Sequence, residues 1–314
     1  MSSRLTVALR RWIDSGVAGD DANAHPRGID WARVVPFVLL HLSCVAVLWT
    51  GWSPFAVAVA VTLYAARMFA ITAFYHRYFS HRAFRASRGW QFVFAVLGAS
   101  AVQRGPLWWA AHHRHHHAHS DKPGDAHSGR QDGWLWSHMG WFLARQNFAT
   151  RTHLIRDFAR YPELRWLDRY DVAVPAALFA ALWLLGSWLE VAHPSLGTGP
   201  WQLVVWGFCI STVVLFHGTF VINSLAHGWG SRRYATGDDS RNNFLLALIT
   251  FGEGWHNNHH RYPSAARQGF YWWEIDVSWY LLRGLAALGV VRDLRPVSSS
   301  VLAAGRRPPR DGAS

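Results

Sequence analysis

Residues 55–81, FAVAVAVTLYAARMFAITAFYHRYFSH, decide how this chain folds. They begin with about twenty mostly apolar residues, enough for one helix to cross the hydrocarbon core of a bilayer. The stretch ends on His76 and His81, whose imidazoles are common metal ligands. The first prediction is therefore a membrane-spanning helix that brings histidines to one face of the membrane.

Three further apolar stretches have the length of membrane spans. The four predicted spans cover residues 34–52, 55–75, 174–191 and 201–225. The connections Ser53-Pro54 and residues 193–200 are short and contain proline or glycine, which favours two helical hairpins. The sequence therefore predicts an all-α integral membrane protein with four transmembrane helices in two hairpins.

The basic residues are distributed as in a membrane protein. The formal net charge is +12, yet of the 31 Lys and Arg only Arg67 lies inside a predicted span, and neither hairpin connection carries one. Cytoplasmic segments are enriched in Lys and Arg, so both termini and the long middle loop are expected in the cytoplasm. The same distribution argues against a nucleic-acid-binding protein, since no recognised binding motif accompanies it.

The predicted organisation alternates between cytoplasm and membrane. Its parts are a cytoplasmic N-terminal segment (1–33), the transmembrane hairpins (34–76 and 174–225) and two parts of a helical cytoplasmic cap (77–173 and 226–296). Residues 297–314 are rich in Ser, Ala, Gly, Arg and Pro, which predicts a disordered tail because this composition buries little apolar surface. Both parts of the cap follow a hairpin and meet the same face of the membrane.

Histidines are concentrated in four groups next to the spans or in the predicted cap. The groups are HRYFSH (76–81), AHHRHHHAH (111–119), NSLAH (223–227) and EGWHNNHH (253–260). Residues at i, i+3 and i+4 share one face of a helix, so His113, His116 and His117 can converge on a metal ion. The spacing equally allows a second stripe, formed by His112, His115, His116 and His119. Spacing alone leaves the register open.

Carboxylates near these histidines are candidates to orient the imidazole N–H groups, because neutral ligands leave the charge of a metal uncompensated. The acidic candidates are Asp121, Asp125, Asp238, Asp239 and Glu253. Glu253 stands out because two glycines flank it shortly before His256. His127 and His138 are further candidates. The alternative for each carboxylate is an ordinary solvated surface charge.

The order of the histidine groups resembles the membrane fatty acyl desaturases. H-x-x-x-x-H, H-x-x-H-H, N-x-x-x-H and a second H-x-x-H-H follow one another around four spans. Four flanking motifs are similar to sequences of the stearoyl-CoA (delta-9) desaturase branch, of bacterial type. They are SHMGW (137–141), NSLAH (223–227), SRNN (240–243) and GEGWH (252–256). The resemblance covers residues 64–296 and implies the register that contains His113. The ligands it implies are His76, His81, His113, His116, His117, His227, His256, His259 and His260, with Asn223 completing the set through water.

The resemblance implies an O2-dependent desaturase that introduces a cis double bond, at the ninth carbon by likeness to that branch, for unsaturated fatty acid biosynthesis. Removing hydrogen from an unactivated methylene requires an oxidising metal centre. Zinc lacks redox chemistry, so histidine ligands and O2 as co-substrate favour two iron ions. The sequence contains neither a dinucleotide-binding fingerprint nor a ferredoxin cysteine motif, so a separate electron donor is expected: a ferredoxin, a cytochrome b5 or a flavoprotein reductase.

Two other functions stay open at this point. The related membrane hydroxylases share three of the histidine boxes, although the sequence motif from Asn223 to His227 favours desaturation. A histidine-rich metal transporter would also combine spans with histidines. Transport sites usually lie near the middle of the membrane, where only His41 and His217 occur in this sequence.

The acyl carrier is also open. Acyl-CoA is the expected substrate, but acyl-CoA desaturases of the animal type carry an Arg-Asp pair where this chain has Ala111-His112. Arg104, Arg145 and Arg151 are the candidates for contacts to a phosphorylated head group. Acyl carrier protein and membrane lipid are the alternative carriers.

Overall fold

The computed structural model describes residues 4–17 and 27–306, and most of them are helical. The helices up to residue 119 are α1 (Arg4–Ile13), α2 (Trp31–Thr50), α3 (Pro54–Ser80), α4 (Arg88–Ala99) and α5 (Pro106–His119). Those up to residue 224 are α6 (Gly129–Asp132), α7 (Trp141–Leu143), α8 (Arg156–Ala159), α9 (Pro162–Arg169), α10 (Ala173–Ala192) and α11 (Pro200–Ser224). The last are α12 (Phe244–Ile249), α13 (His256–Arg261), α14 (Val277–Ala287) and α15 (Ser299–Gly305). Strands β1 (Arg85–Ala86) and β2 (Val291–Arg292) pair antiparallel.

Four helices, α2, α3, α10 and α11, are long and apolar enough to cross a membrane. This confirms the prediction of a mostly helical chain with four candidate membrane helices. The largest difference is at the end of α3, which continues to Ser80, whereas the predicted span ends at Tyr75. Residues Ala70–Ser80 are π-helical and all buried. His76 therefore lies inside the helix, and wide π-helical turns of this kind occur frequently at functional sites.

The two connections without basic residues lie together. The hydroxyls of Ser53 and Thr198 are 2.6 Å apart, and Trp206 donates from its indole nitrogen to the carbonyl oxygen of Gly51. Exposed tryptophans surround this end of the helices: Trp49, Trp52, Trp188 and Trp201. Such aromatic side chains favour the interface between membrane and water.

Arg67 is buried in α3 and forms no ion pair within the described part of the chain. Its guanidinium donates to the hydroxyls of Ser211 (2.6 Å) and Thr212 (2.7 Å) in α11 and to the carbonyl oxygen of Ser100 (3.3 Å) after α4. A charge inside a span is a functional hypothesis by default. Here its contacts join three helices, which gives it a structural role.

Helix α4 runs alongside the second half of α3. The rings of Phe74 and Phe94 stack with centroids 3.9 Å apart, and the hydroxyl of Tyr75 donates to the carbonyl oxygen of Ala95. Gly98 faces the Tyr75 ring so closely that a Cβ atom there would overlap it. This packing fixes the segment of α3 that carries His76.

The prediction of a disordered tail over residues 297–314 is wrong for its first part. Residues Ser299–Gly305 form α15, whose first turn is capped by the Ser298 hydroxyl. Val301 is buried against Tyr234 and Tyr271, and both tyrosine hydroxyls donate to carbonyl oxygens of α15. These aromatic partners are far away in the sequence, so local composition did not reveal them. Residues 307–314 of that tail, and residues 1–3 and 18–26 of the predicted N-terminal segment, lie outside the described residues.

Candidate metal centre

Five histidines bring their Nε2 atoms into a closed ring. The distances around the ring are 3.0 Å from His76 to His259, 2.9 Å to His117, 3.0 Å to His113, 2.8 Å to His81 and 3.2 Å back to His76. Two nitrogens bound to one metal at about 2.1 Å and at right angles would be about 3.0 Å apart. The ring therefore has the spacing of ligands around a single metal ion.

Four more histidines form a second group beside the first. They are His116, His227, His256 and His260, whose ligand atoms lie within 4.8 Å of one another. The Nε2 atoms of His227 and His256 are 3.0 Å apart. The Nε2 atoms of His116 and His260 are buried and have no hydrogen-bond partner among the described residues. The rings of His117 and His260 are 4.5 Å apart, so the two groups are adjacent.

Carboxylates fix the tautomers of four of these rings. Asp125 lies 3.0 Å from Nδ1 of His116, Asp121 2.7 Å from Nδ1 of His227, Asp238 2.7 Å from Nδ1 of His260, and Glu253 contacts Nδ1 of His76. Each carboxylate accepts the Nδ1–H, so each Nε2 keeps a free lone pair. Four of the five predicted carboxylates therefore contact a predicted histidine.

Charge and burial act together at the site. Burial lowers the pKa of His81, His113, His117, His256 and His259 well below the ordinary value, and neighbouring histidines lower it further. Burial lowers the pKa of His260 to about 4. Burial also opposes charge on His116, but Asp125 outweighs it and raises that pKa. Most of the rings are therefore neutral near pH 7, the form that binds metals.

The backbone around Glu253 is shaped to bring its carboxylate against His76. Gly252 has a φ of +121°, and a side chain there would collide with Asp276. The other side of the Glu253 carboxylate accepts hydrogen bonds from Arg77, which also makes a two-pronged contact with Asp276 at 2.9 and 3.0 Å. A buried chain of Asp276, Arg77 and Glu253 therefore supports His76.

Gln268 was not identified from the sequence. Its Nε2 donates to Glu253 at 3.0 Å and lies 3.2 Å from Nδ1 of His76 and 3.5 Å from Nδ1 of His259. It thus contacts two members of the first group, His76 and His259, which are far apart in the sequence. No sequence signal marks it, because an isolated glutamine belongs to none of the histidine motifs.

Three other predicted residues, Asp239, His138 and His127, belong to neither of the two groups. The carboxylate of Asp239 pairs with Arg130 at 3.5 Å and contacts no histidine of the described residues, while its backbone N–H donates to Asp121. His138 bonds to Ser224 and His217 instead of a member of either group. His127 stacks on His116 with centroids 4.1 Å apart and, with Asp125 and His116, forms a third group that could hold a metal.

Apart from His116, which both registers share, the alternative stripe on α5 lies outside the two groups. His112 lies against Trp108, and its Nε2 is 3.4 Å from the carbonyl oxygen of Ala149. His119 contacts the carbonyl oxygen of His115 in its own helix. Of the two registers that the spacing allowed, the structure therefore brings His113, His116 and His117 to the centre.

A cavity of about 290 Å³ reaches the first histidine group. Its wall includes His113 of that group and Asn223. Apolar residues line another part of the wall: Phe37, Leu40, Phe142, Phe216 and Phe220. A third part is charged and contains Arg11, Arg33, Arg104 and Asp171.

The donor set fits metal ions. Buried imidazole nitrogens with free lone pairs repel one another unless a proton or a cation lies between them. Here the Nδ1–H groups of four rings already bond to carboxylates, and the low pKa values disfavour extra protons. All nitrogen ligands and no thiolates suit iron, copper or zinc.

Comparison with known proteins agrees with these features. The model of the fatty acid desaturase family matches residues 31–295. The chain is 36% identical over 276 residues to the icosanoyl-CoA 5-desaturase of Limnanthes douglasii, covering 86% of this chain and 73% of the relative. It is 34% identical over 270 residues to the sn-2 palmitoyl-lipid 9-desaturase of Nostoc, covering 83% and 89%. It is also 34% identical over 270 residues to the sn-1 stearoyl-lipid 9-desaturase of Anabaena variabilis, covering 85% and 94%.

Proposed function

Since this chain belongs to the fatty acid desaturase family, we propose that it is an O2-dependent di-iron desaturase that forms a cis double bond in a saturated acyl chain. The observation that carries the proposal is the pair of adjacent buried histidine groups, the first of which reaches the wall of a largely apolar cavity through His113. An acyl chain in this cavity would place its methylenes beside the nitrogens that hold the metals.

Each group would hold one iron ion. The first would use His76, His81, His113, His117 and His259, and the second would use His116, His227, His256 and His260, with Asn223 joining through water. The iron ions supply the oxidising power that the protein side chains lack. The protein keeps the imidazoles neutral, fixes their tautomers through carboxylates and encloses the site in buried side chains.

The overall reaction balances with one O2, two electrons and two protons. The acyl chain loses two hydrogens from adjacent carbons, and both oxygen atoms leave as water. The two electrons come from a separate donor, a ferredoxin, a cytochrome b5 or a flavoprotein reductase. The net positive charge of the chain favours an acidic donor.

The cavity supports an anionic acyl carrier, with coenzyme A as the first candidate. Arg33 and Arg104 both lie over the ring of Phe148, at 4.9 and 5.3 Å. Arg11 lies in the same charged part of the cavity wall. The carboxylates paired with these three arginines are Asp30 and Asp171, which leaves a surplus of positive charge. A phosphate of coenzyme A or of a phospholipid would neutralise this surplus positive charge.

The residue before the second histidine box does not add a cation there. Burial lowers the pKa of His112 to about 3, so this histidine is neutral where animal enzymes carry a charged pair. The lipid-linked substrate is the alternative, and the names of the relatives include both types. Position nine for the double bond rests on likeness to the 9-desaturases.

The same proposal includes the arrangement in the membrane. The helix pairs α2–α3 and α10–α11 would form two hairpins, and the histidine groups would lie in a cap on the cytoplasmic side together with both termini. The distribution of Lys and Arg supports this orientation. A tag on either terminus, probed for protease access in sealed vesicles, tests it.

The function is tested by expressing the chain in a host and analysing its fatty acids by gas chromatography and mass spectrometry. We expect a new monounsaturated acid that is absent with His116→Ala and His259→Ala but present with His119→Ala. A hydroxylated product would instead identify a hydroxylase. Unchanged lipids despite iron-loaded protein and a working reductant would contradict both. Assays of the purified protein with stearoyl-CoA and with stearoyl phospholipid then identify the carrier.

A further inference from the structure

Three histidines outside the metal groups form a continuous hydrogen-bonded chain. His41 of α2 and His217 of α11 face each other with their Nε2 atoms 3.3 Å apart. Nδ1 of His217 is 3.0 Å from Nε2 of His138, which lies in the π-helical turn Trp136–Gly140 before α7. This chain of histidines ends at the carbonyl oxygen of Phe37 on one side and at the Ser224 hydroxyl on the other. The desaturase chemistry uses none of the three.

One set of neutral tautomers satisfies both nitrogens of all three rings. The carbonyl oxygen of Phe37 accepts from Nδ1–H of His41, so Nε2 of His41 must accept from His217. His217 then accepts at Nδ1 from Nε2–H of His138, whose Nδ1 accepts from the hydroxyl of Ser224. Burial lowers the pKa of His138, which agrees with a neutral ring. Removing one ring breaks the sequence of donors and leaves its neighbours unpaired.

The three elements joined by this chain also carry the aromatic wall of the cavity. The wall consists of Phe37 from α2, Phe142 from α7, and Phe216 and Phe220 from α11. Neighbouring rings of the wall are in contact, with centroids 5.6 Å apart for Phe37 and Phe142 and 4.9 Å apart for Phe142 and Phe220. Span α2, span α11 and the continuous helical segment formed by the π-helical turn and α7 therefore each provide one histidine to the chain and at least one phenylalanine to the wall.

The histidines pack directly against these phenylalanines. The ring of His41 is 4.4 Å from Phe37, that of His217 is 5.9 Å from Phe220, and that of His138 is 5.7 Å from Phe220. The turn that holds His138 also contacts span α11 at the cavity end, where the Ser137 hydroxyl donates to the carbonyl oxygen of Asn223. A displacement of any link would therefore move the wall relative to the metal groups.

We infer that the His41–His217–His138 chain is a positioning device that sets which carbon atoms of the acyl chain lie beside the metals. An acyl chain is a repeat of identical methylenes, so only the shape of the cavity distinguishes one carbon pair from the next. If directional hydrogen bonds hold the wall at three points, the acyl chain can bind at only one position along the cavity. A shift by one methylene would bring the acyl chain into collision with rigid aromatic rings. The inference rests on the proposed desaturase function and adds a determinant of double-bond position.

The test replaces single rings by phenylalanine, which preserves the aromatic ring and removes both nitrogens. The variants are His217→Phe at the centre of the chain and His41→Phe at its membrane end. His193→Phe is the matched control, since His193 is exposed in the connection between α10 and α11. Double-bond positions in the products are measured by mass spectrometry of dimethyl disulfide adducts. Hydrogen–deuterium exchange of residues 136–143 is measured on the same proteins without turnover.

We expect the two variants to raise the share of double bonds at neighbouring positions by about tenfold over the control. Exchange of residues 136–143 should become faster in both variants and stay unchanged in His193→Phe. Lower turnover with an unchanged ratio of positions would reduce the chain to a stabilising contact and overturn the inference. If His217→Phe fails to fold, the ratio of double-bond positions in the products of His41→Phe tests the inference.

The outcomes also separate this inference from the proposed function. A parent protein that forms no double bond removes the desaturase proposal, and the claim about register falls with it. A parent that forms one double bond while the variants keep its position leaves the desaturase intact and overturns the role of the histidine chain alone.

Discussion

Asp125 lies 3.0 Å from Nδ1 of His116 through both of its carboxylate oxygens, while Nε2 of the same ring is buried without a hydrogen-bond partner among the described residues. The carboxylate therefore accepts the only proton of a neutral imidazole and directs the free lone pair into the second histidine group. Nothing else in the described surroundings satisfies that lone pair. A cation bound there would do so.

Replacing Asp125 by Asn should weaken metal binding at the second group by about 10- to 100-fold, because outer carboxylates raise the basicity of histidine ligands. The amide keeps the shape and a hydrogen-bond acceptor but loses the charge. Iron per polypeptide, measured after competition with a chelator, checks this. Asp239→Asn is the matched control, since Asp239 contacts Arg130 and, in the part of the chain that the structure describes, no histidine. Equal iron loss in both variants would show that net charge, rather than the contact to His116, governs affinity.

The two faces of α5 should differ in their effect on metal binding. His113→Ala removes a nitrogen that lies 2.8 Å from His81 and 3.0 Å from His117, so we expect the first group to lose its metal. His119→Ala removes a ring that contacts its own helix, so metal content should stay unchanged. Iron stoichiometry of the purified variants distinguishes them. Comparable losses would mean that the other stripe of α5 also binds metal.

The sequence was sufficient for the helical class, the four candidate spans and the choice of acidic partners near the histidines. The helical class and the spans depend on local composition, and the acidic candidates were chosen because they are close to histidines in the sequence. The long-range pairings of Asp121 with His227 and of Glu253 with His76 could not be predicted in this way. It was insufficient for Gln268 and Asp276, because they reach His76 and Arg77 through long-range packing that has no periodicity. The same reason explains α15, whose order depends on two distant tyrosines. The end of α3 was missed because the apolar run stops at Tyr75, while the buried π-helical segment continues through polar residues to Ser80.

Acid should destabilise the metal-free protein. Burial lowers the pKa of His81, His113, His117, His256 and His259 below the unfolded value of about 6.5. Below that pH the unfolded chain binds protons that the folded chain does not. Stability is therefore complete above about pH 6.5 and falls towards the lower folded pKa values, by up to about 1.4 kcal/mol per pH unit for each histidine.

Unfolding of the metal-free protein in detergent between about pH 7.5 and about pH 5 checks this sign. His260, with a pKa of about 4, adds to the loss over the same range. His116 opposes it, because Asp125 raises its pKa. Bound iron competes with protons for the same nitrogens, so the iron-loaded protein should resist acid over this range until the metal is released. A metal-free stability that stays constant down to pH 5 would contradict the buried, neutral state of the rings.

Two glycine substitutions should have opposite effects although the chemical change is the same. A Cβ at Gly98 would overlap the ring of Tyr75, which is fully buried and precedes His76 in α3. Gly98→Ala should therefore destabilise the protein by about 1–3 kcal/mol and lower iron content at the first group, since the displaced ring moves His76. At Gly284 in α14 no atom of the described residues lies within 4 Å of a Cβ, so Gly284→Ala should be stabilising by about 0.5–1 kcal/mol through helix propensity. Thermal unfolding and iron analysis of both variants check these expectations. Equal changes in stability and iron content would mean that α4 is not packed tightly enough on α3 to position His76.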